Sequence, residues 1–204
     1  LTMNPYFADF AALALLDNAA EYADKVVKYM DWHFSHLNTA EEDFGGLDGT
    51  IYDYVITMKD GKIEKEEISD PENADPYDTT DSYAATFLTV VYKYYSKTGD
   101  IDYLVNHFQD LLRIANVMLA TEQNGLTYAK RNHRVKYLMD NCEVYEGAIA
   151  ASKIFEAISR ESDTDLISYF AETYENFAHR VKENIERQLW NYVGGYYRPG
   201  IAAY

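Results

Sequence analysis

Apolar residues recur at three- and four-residue steps along most of the chain, the period of an α-helix. Segment 18–37 places Tyr22, Val26, Tyr29, His33 and Leu37 on one stripe, and 80–97 places Ala84, Leu88, Val91 and Tyr95 on another. Segment 101–120 aligns Ile101, Leu104, Phe108, Leu111, Ala115 and Met118, and 163–190 aligns Phe170, Tyr174, Phe177, Val181, Ile185 and Leu189. Segments 5–16 and 141–160 are rich in alanine and apolar on more than one face, which predicts helices buried on most sides. The pattern predicts an all-α domain spanning residues 1–204, built from three antiparallel helical hairpins.

The connections between these helices are of two kinds. Asp17-Asn18, Thr98-Gly99-Asp100 and Ser162-Asp163 are tight turns, with Gly99 suited to a left-handed C′ position and Asp100 to the next N-cap. The long ones cover about 38–79, 121–139 and 191–204. Short turns make successive helices antiparallel, so every long connection emerges at the same end. Within the first, Gly49–Thr57 and Ile63–Ile68 flank an Asp60-Gly61 turn and predict a β-hairpin. Leu126–Tyr128 and Val135–Tyr137 predict a second small β-excursion in the next loop.

Composition narrows the partners. Asp and Glu number 34 against 18 Lys and Arg, a net charge of −16, which disfavours nucleic acid and anionic membrane surfaces and favours a neutral partner. No apolar run approaches the ~20 residues that span a bilayer. The apolar stretch from Phe10 to Leu16 lacks a basic lead and a cleavage pattern, so it does not read as a signal peptide. Both a secreted and a cytoplasmic setting fit. Cys142 is alone, which excludes an internal disulfide and a cysteine zinc site. The 20 tyrosines suit stacking on sugar rings, but most are expected in helix interfaces.

Two long-loop-to-helix junctions concentrate the candidate chemistry. One runs Tyr77-Asp78-Thr79-Thr80-Asp81-Ser82-Tyr83, the other Tyr137-Leu138-Met139-Asp140-Asn141-Cys142-Glu143-Val144-Tyr145. Each carboxylate has a plain reading as a helix cap. Capping does not explain two carboxylates with flanking tyrosines at both junctions. Carboxylates gathered on one rim are what glycosidic hydrolysis requires, one protonating the leaving oxygen while another activates water or attacks. Asp140, Glu143 and Asp81 are the candidate catalytic residues. Tyr52, Asp53, Tyr77, Asp78, Tyr83, Tyr137, Tyr145 and Arg131 are the candidate substrate-binding residues.

The alternation of turns and long loops, the junctions Asp-Ser-Tyr-Ala-Ala-Thr-Phe-Leu (81–88) and Met-Asp-Asn-Cys-Glu-Val-Tyr-Glu-Gly (139–147), and the opening Asn-Pro-Tyr-Phe-Ala (4–8) resemble the six-hairpin glycosidases, the (α/α)6 toroids that include glucoamylase-like enzymes. The resemblance implies that Asp81-Ser82 holds sugar hydroxyls and that Asp140 with Glu143 supplies the general acid. It departs from the glucoamylase pattern, where paired Glu follow a Trp; here Met139 precedes Asp140. Such toroids close with about twelve helices, twice the number read here. The resemblance therefore implies part of a toroid: half of a larger chain, one copy of a ring that a second completes, or an open arc of helices. It implies a carbohydrate substrate and no cofactor.

Other features carry less. Lys130–Lys136 is a basic island on the same rim, read as a solvated hairpin or as an anion site. His33 reads as a packed core histidine, and His36, His107 and His179 lack ligand spacing. The acidic stretch Asp70–Asp75 lacks the glycine and terminal Glu of a calcium loop, so no metal is expected. Two other readings stay open: a polysaccharide lyase or sugar epimerase on the same scaffold, and a non-catalytic helical-repeat binding module.

Overall fold

The computed structural model describes residues 1–70, 76–162 and 165–202. The turn at Ser162-Asp163 and the acidic stretch Asp70–Asp75 lie partly or mostly outside them. The chain is mostly helical. Helix α1 (Pro5–Leu15) opens with proline at its first turn, and the Asn4 side chain accepts the Phe7 N–H at 3.0 Å. A short 3-10 turn over Leu16–Asn18 leads into α2 (Ala19–Ser35). Helix α3 (Asp81–Thr98) ends on Gly99, whose φ of 72° lets its N–H reach the Tyr95 carbonyl at 2.8 Å. Asp100 then caps α4 (Ile101–Asn106) by accepting the Tyr103 N–H at 3.1 Å.

The single helix expected over 101–120 is interrupted at His107, whose ring stacks on Phe34 with centroids 4.1 Å apart. The helical path resumes as α5 (Phe108–Ala120). Helices α6 (Leu138–Ser162) and α7 (Asp165–Asn184) follow, and α7 runs into a π-helical turn over Ile185–Leu189.

Helix α3 is the centre of the packing. Both α1 and α6 pack on it, α2 and α5 lie against it as well, and α7 covers α6. Phe87, Leu88, Ile114, Met118, Phe155 and Phe177 are fully buried where these helices meet. His33 joins them, buried and stacked on Phe87 at 3.5 Å, as its place on the apolar stripe predicts. Helix α6 is buried on several faces, as its alanine content predicts. Helix α1 departs from that expectation. Phe7 is 70% exposed and Phe10 45%, and Ala11 and Ala14 continue the same open face. Only the side facing α2 and α3 is covered, which holds Asp9, Ala12 and Leu16.

Strands decorate the loops. β1 (Thr2–Met3), β2 (Tyr54–Lys59) and β3 (Lys62–Ile68) form an antiparallel sheet in that order. Asp60 and Gly61 turn the hairpin with φ of 51° and 74°, the paired left-handed conformation of a tight hairpin turn. The first strand starts five residues later than the sequence pattern suggests. Asn38 and Thr50 are paired instead, the Asn38 N–H reaching the Thr50 carbonyl at 2.8 Å, and the Asp53 N–H bonds the Pro76 carbonyl at 2.7 Å.

The second excursion differs in its pairing. β5 (Leu126–Thr127) pairs with β4 (Glu122–Gln123) across an Asn124-Gly125 turn, whose φ angles are 56° and 85°. β6 (Val135–Tyr137) pairs with β9 (Gly200–Ala202), after a further hairpin of β7 (Trp190–Asn191) and β8 (Tyr196–Tyr197). The nearer Asn-Gly turn captures β5 first, leaving β6 free for the distant strand. Hydrogen bonds join the loops at one end of the helices. The Thr80 N–H bonds the Ala129 carbonyl at 2.6 Å, and the Leu138 N–H bonds the Pro199 carbonyl at 2.9 Å. Asn4 Nδ2 bonds the Asp53 carboxylate at 3.0 Å.

Candidate functional site

The site is set by how closely α3 and α6 approach. Gly147 faces Ala85 so tightly that a Cβ on the glycine would lie 2.5 Å from the Ala85 Cα. One turn toward the loop end, the same two helix faces carry Ser82 and Glu143. Short side chains can then bridge the helices, and the Ser82 hydroxyl bonds Glu143 Oε2. Tyr6, from α1, donates to Glu143 Oε1 at 2.7 Å. Both oxygens of Glu143 are thus engaged by hydroxyls from two other helices.

The first turns of α3 and α6 hold the other two acids. Asp81 is fully buried, and its Oδ1 accepts the Ser82 N–H at 2.9 Å. The Thr79 hydroxyl lies 2.6 Å from the same Oδ1 and 3.3 Å from Asp140 Oδ2. Neither acid is an N-cap: Thr80 precedes α3 without a side-chain capping bond, and Asp140 is the third residue of α6. Asp81 does accept one first-turn N–H, that of Ser82, but capping does not account for its full burial or for its link to Asp140 through Thr79. Asn141 does the local structural work, spanning Thr127 like a strand partner. It accepts the Thr127 N–H at 2.8 Å and donates to the Thr127 carbonyl at 3.1 Å.

These junctions wall a cleft of about 690 Å³. Tyr6, Asp78, Thr79, Ser82 and Asp140 line one part of it. Ala129, Lys130, Asn132, His133, Tyr137, Met139 and Pro199 line the rest. Burial pushes the Asp81 carboxyl well above the usual carboxylate range, and the neighbouring Asp140 adds to this. Asp140 is raised less, by burial first and then by the Glu143 and Asp78 charges. Burial and the bond to Glu143 likewise push the Tyr6 phenol up. The site therefore contains carboxyl groups that hold protons at a pH where an exposed Asp has lost them.

The residues singled out from the sequence divide sharply. Asp140, Asp78 and Tyr137 line the cleft. Asp81, fully buried and linked to Asp140 through Thr79, and Glu143, bonded to Ser82, are not among its lining residues. Tyr83 lies behind the wall, stacked on Tyr6 at 6.1 Å, with its hydroxyl 3.1 Å from Asp53. Asp53 is tied in turn to Asn4, so it braces the start of α1. Tyr52 and Tyr77 are buried with their hydroxyls on the Glu42 carbonyl and Asp43, at 2.7 and 2.8 Å. Tyr145 packs against the helical core with Lys182 over its ring, and Arg131 bonds the Gly45 carbonyl at 3.1 Å. Neither is among the cleft residues.

Tyr6, Thr79 and Pro199 join the site without having been singled out by sequence pattern. The signal for Tyr6 was its place beside the Asn4-Pro5 helix start, which the hairpin geometry puts at the loop end. Nothing local marks Pro199, since a distant strand pairing brings it there. Among the described residues no group of three or more His, Cys, Asp and Glu is arranged to hold a metal ion. No described helix is long and apolar enough to cross a membrane. Comparison with protein-family models, with curated proteins and with solved structures gives no match to this chain.

Proposed function

We propose that the chain is a glycoside hydrolase that cleaves a neutral oligosaccharide in the cleft between the first turns of α3 and α6. The observation that carries this reading is Asp140, a carboxyl facing the cleft in surroundings that favour its protonated form. A protonated carboxylic acid at the rim is the group a glycosidic oxygen needs as it leaves. Asp78 is the exposed carboxylate of the same cleft and is the candidate to activate water or attack. Burial first, and then Glu143, clamped by Tyr6 and Ser82, favour the proton on Asp140. Tyr6 and Tyr137 offer ring faces for a sugar.

On this reading α1, α3 and α6 are inner helices of an (α/α)6 toroid, with α2, α4–α5 and α7 outside them. Further hairpins or a second copy then complete the ring. The succession of α1 and α6 on α3 and the open apolar face of α1 support that arrangement. The net charge of −16 favours an uncharged substrate over an acidic one.

The test is release of reducing ends from a panel of neutral oligosaccharides. Asp140→Asn should lower the rate by about 10²–10⁴-fold with the helical signal intact. Wild-type turnover that Asp140→Asn leaves unchanged would sink the assignment. Saturable binding of the panel with no turnover would instead favour a non-catalytic sugar-binding role.

A further inference from the structure

A problem of hydrogen counting lies behind Asp140. The Thr79 hydroxyl has three oxygens around it: Asp81 Oδ1 at 2.6 Å, Asp140 Oδ2 at 3.3 Å and the Ala129 carbonyl at 3.3 Å. A threonine hydroxyl carries one hydrogen. With both carboxyls ionised, three acceptors would compete for that hydrogen, and two like charges would face each other across one hydroxyl, one of them fully buried. Asp81 Oδ2 sharpens the problem, since it is buried without a well-formed hydrogen bond. An ionised carboxylate left so poorly satisfied in the interior is strongly disfavoured.

The competition at Thr79 is relieved if Asp81 is a carboxylic acid protonated on Oδ1, and the unpaired Oδ2 then carries no charge. Its O–H is then given to Thr79 Oγ1, and the hydrogen of Thr79 is free for Asp140 Oδ2. We propose that Asp81 stays protonated as a hydrogen-bond donor and, through the Thr79 hydroxyl, fixes the Asp140 carboxyl with one oxygen held back and the other left to the cleft. Asp81 and Thr79 are then positioning residues. Each acts through Asp140, Asp81 from outside the cleft and Thr79 from its wall. The charged groups around Asp81 agree with this order. Asp140 faces it from α6, with Glu143 beyond and Asp78 on the preceding loop, while from β5 the Thr127 hydroxyl offsets only part of its burial. A negative charge at Asp81 would stand directly against Asp140, the neighbour that raises it after burial.

The kinetic part of this inference rests on the hydrolase reading; the protonation of Asp81 does not. The carboxyl carbon resonance of Asp81, in protein labelled at aspartate and assigned with Asp81→Asn, is expected to stay in the protonated position from about pH 4 to about pH 7. Titration with a midpoint near 4 would overturn the proposal whatever the activity. In turnover, Thr79→Val keeps the shape and removes the hydroxyl. It should lower the rate about tenfold and displace the acidic limb of the pH profile, with Thr79→Ser restoring both. Asp81→Leu should be impaired similarly, with Asp81→Asn, a neutral donor of the same shape, recovering most of that loss. Failure of Asp81→Asn to recover more than Asp81→Leu, with both folded, would show that the ionised form is required. If wild type cleaves nothing, the hydrolase reading fails alone and the carbon titration still decides the state of Asp81.

Discussion

Gly147 of α6 rests directly on Ala85 of α3, with no room for a methyl group between the helices. That single contact sets the separation at which Ser82 bonds Glu143 one turn away.

Gly147→Val should therefore damage stability and site together. Overpacking a close helix crossing costs about 1–3 kcal/mol, and the forced separation would break the Ser82–Glu143 bond. Chemical denaturation checks the first effect. The second appears as loss of turnover larger than the stability change explains at a temperature where the variant is folded. A variant as stable as wild type would show that the helices part at no cost.

Asp9 gives a pH signature unrelated to the cleft. It is fully buried between α1, α2 and α3, with Thr86 and Tyr29 donating to its oxygens at 2.7 Å each. Burial pushes its carboxyl from 3.8 up to about 8. Between those values the folded state keeps a proton that the unfolded chain has released. The stability owed to this group is therefore complete below about pH 4, falls as pH rises toward about 8, and is level above that. The slope is at most about 1.4 kcal/mol per pH unit. Asp9→Asn, neutral throughout, should flatten that fall in urea midpoints measured across the range. Parallel slopes for the two proteins would refute the assignment.

Tyr6→Phe separates the ring from the hydroxyl. The stack on Tyr83 remains, while the hydrogen bond to Glu143 is lost. Because the ring stays packed and the lost group is near the cleft, the stability change should be below about 1 kcal/mol. That corresponds to a shift of about 2–4 °C or less in a thermal melt. Turnover on a responsive oligosaccharide should nonetheless drop about tenfold, because Glu143 loses one of its two clamps.

Asn141→Ala tests the loop attachment rather than the chemistry. The substitution leaves the buried N–H and carbonyl of Thr127 without their partner. Each unpaired group costs about 1–3 kcal/mol, so the variant should melt well below wild type. Faster amide hydrogen exchange should begin at Thr127 and spread to Ala129. Unchanged exchange there would mean that the loop is held by other contacts.

The helical architecture was legible because burial is periodic: Leu88, Leu111, Met118, Phe177 and Val181 lie on the predicted stripes and are buried. The Asp60-Gly61 hairpin was legible for the same local reason, a turn dipeptide between alternating strands. What failed to show was non-local. Asn124-Gly125 is an equally strong turn signal, but the similar runs at 126–128 and 135–137 suggested each other as partners, and β9 lies too far along the chain to compete in a local reading. The three acids of the site stood at helix starts and could be found there. Tyr52, Tyr77 and Tyr145 could not be sorted from Tyr6 by type, since a tyrosine that stacks on a ligand and one that caps a buried Asp look alike in sequence. Helix α1 misled in the opposite way: its apolar faces predicted cover, and one of them is open.

The strand pairing of Val135–Tyr137 with Gly200–Ala202 carries a consequence for biosynthesis. A chain emerging from the ribosome delivers Tyr6 first, then the acids of α3 and α6, and Pro199 nearly two hundred residues after Tyr6. Until the Pro199 segment arrives, the Leu138 N–H lacks the Pro199 carbonyl and one wall of the cleft is absent. The helical hairpins can condense one on the next as they are made, since α3 packs on α1 before it and α6 then packs on α3. The cleft matures only once Pro199 has been delivered, so a nascent chain halted before Pro199 should be compactly helical yet lack the completed site.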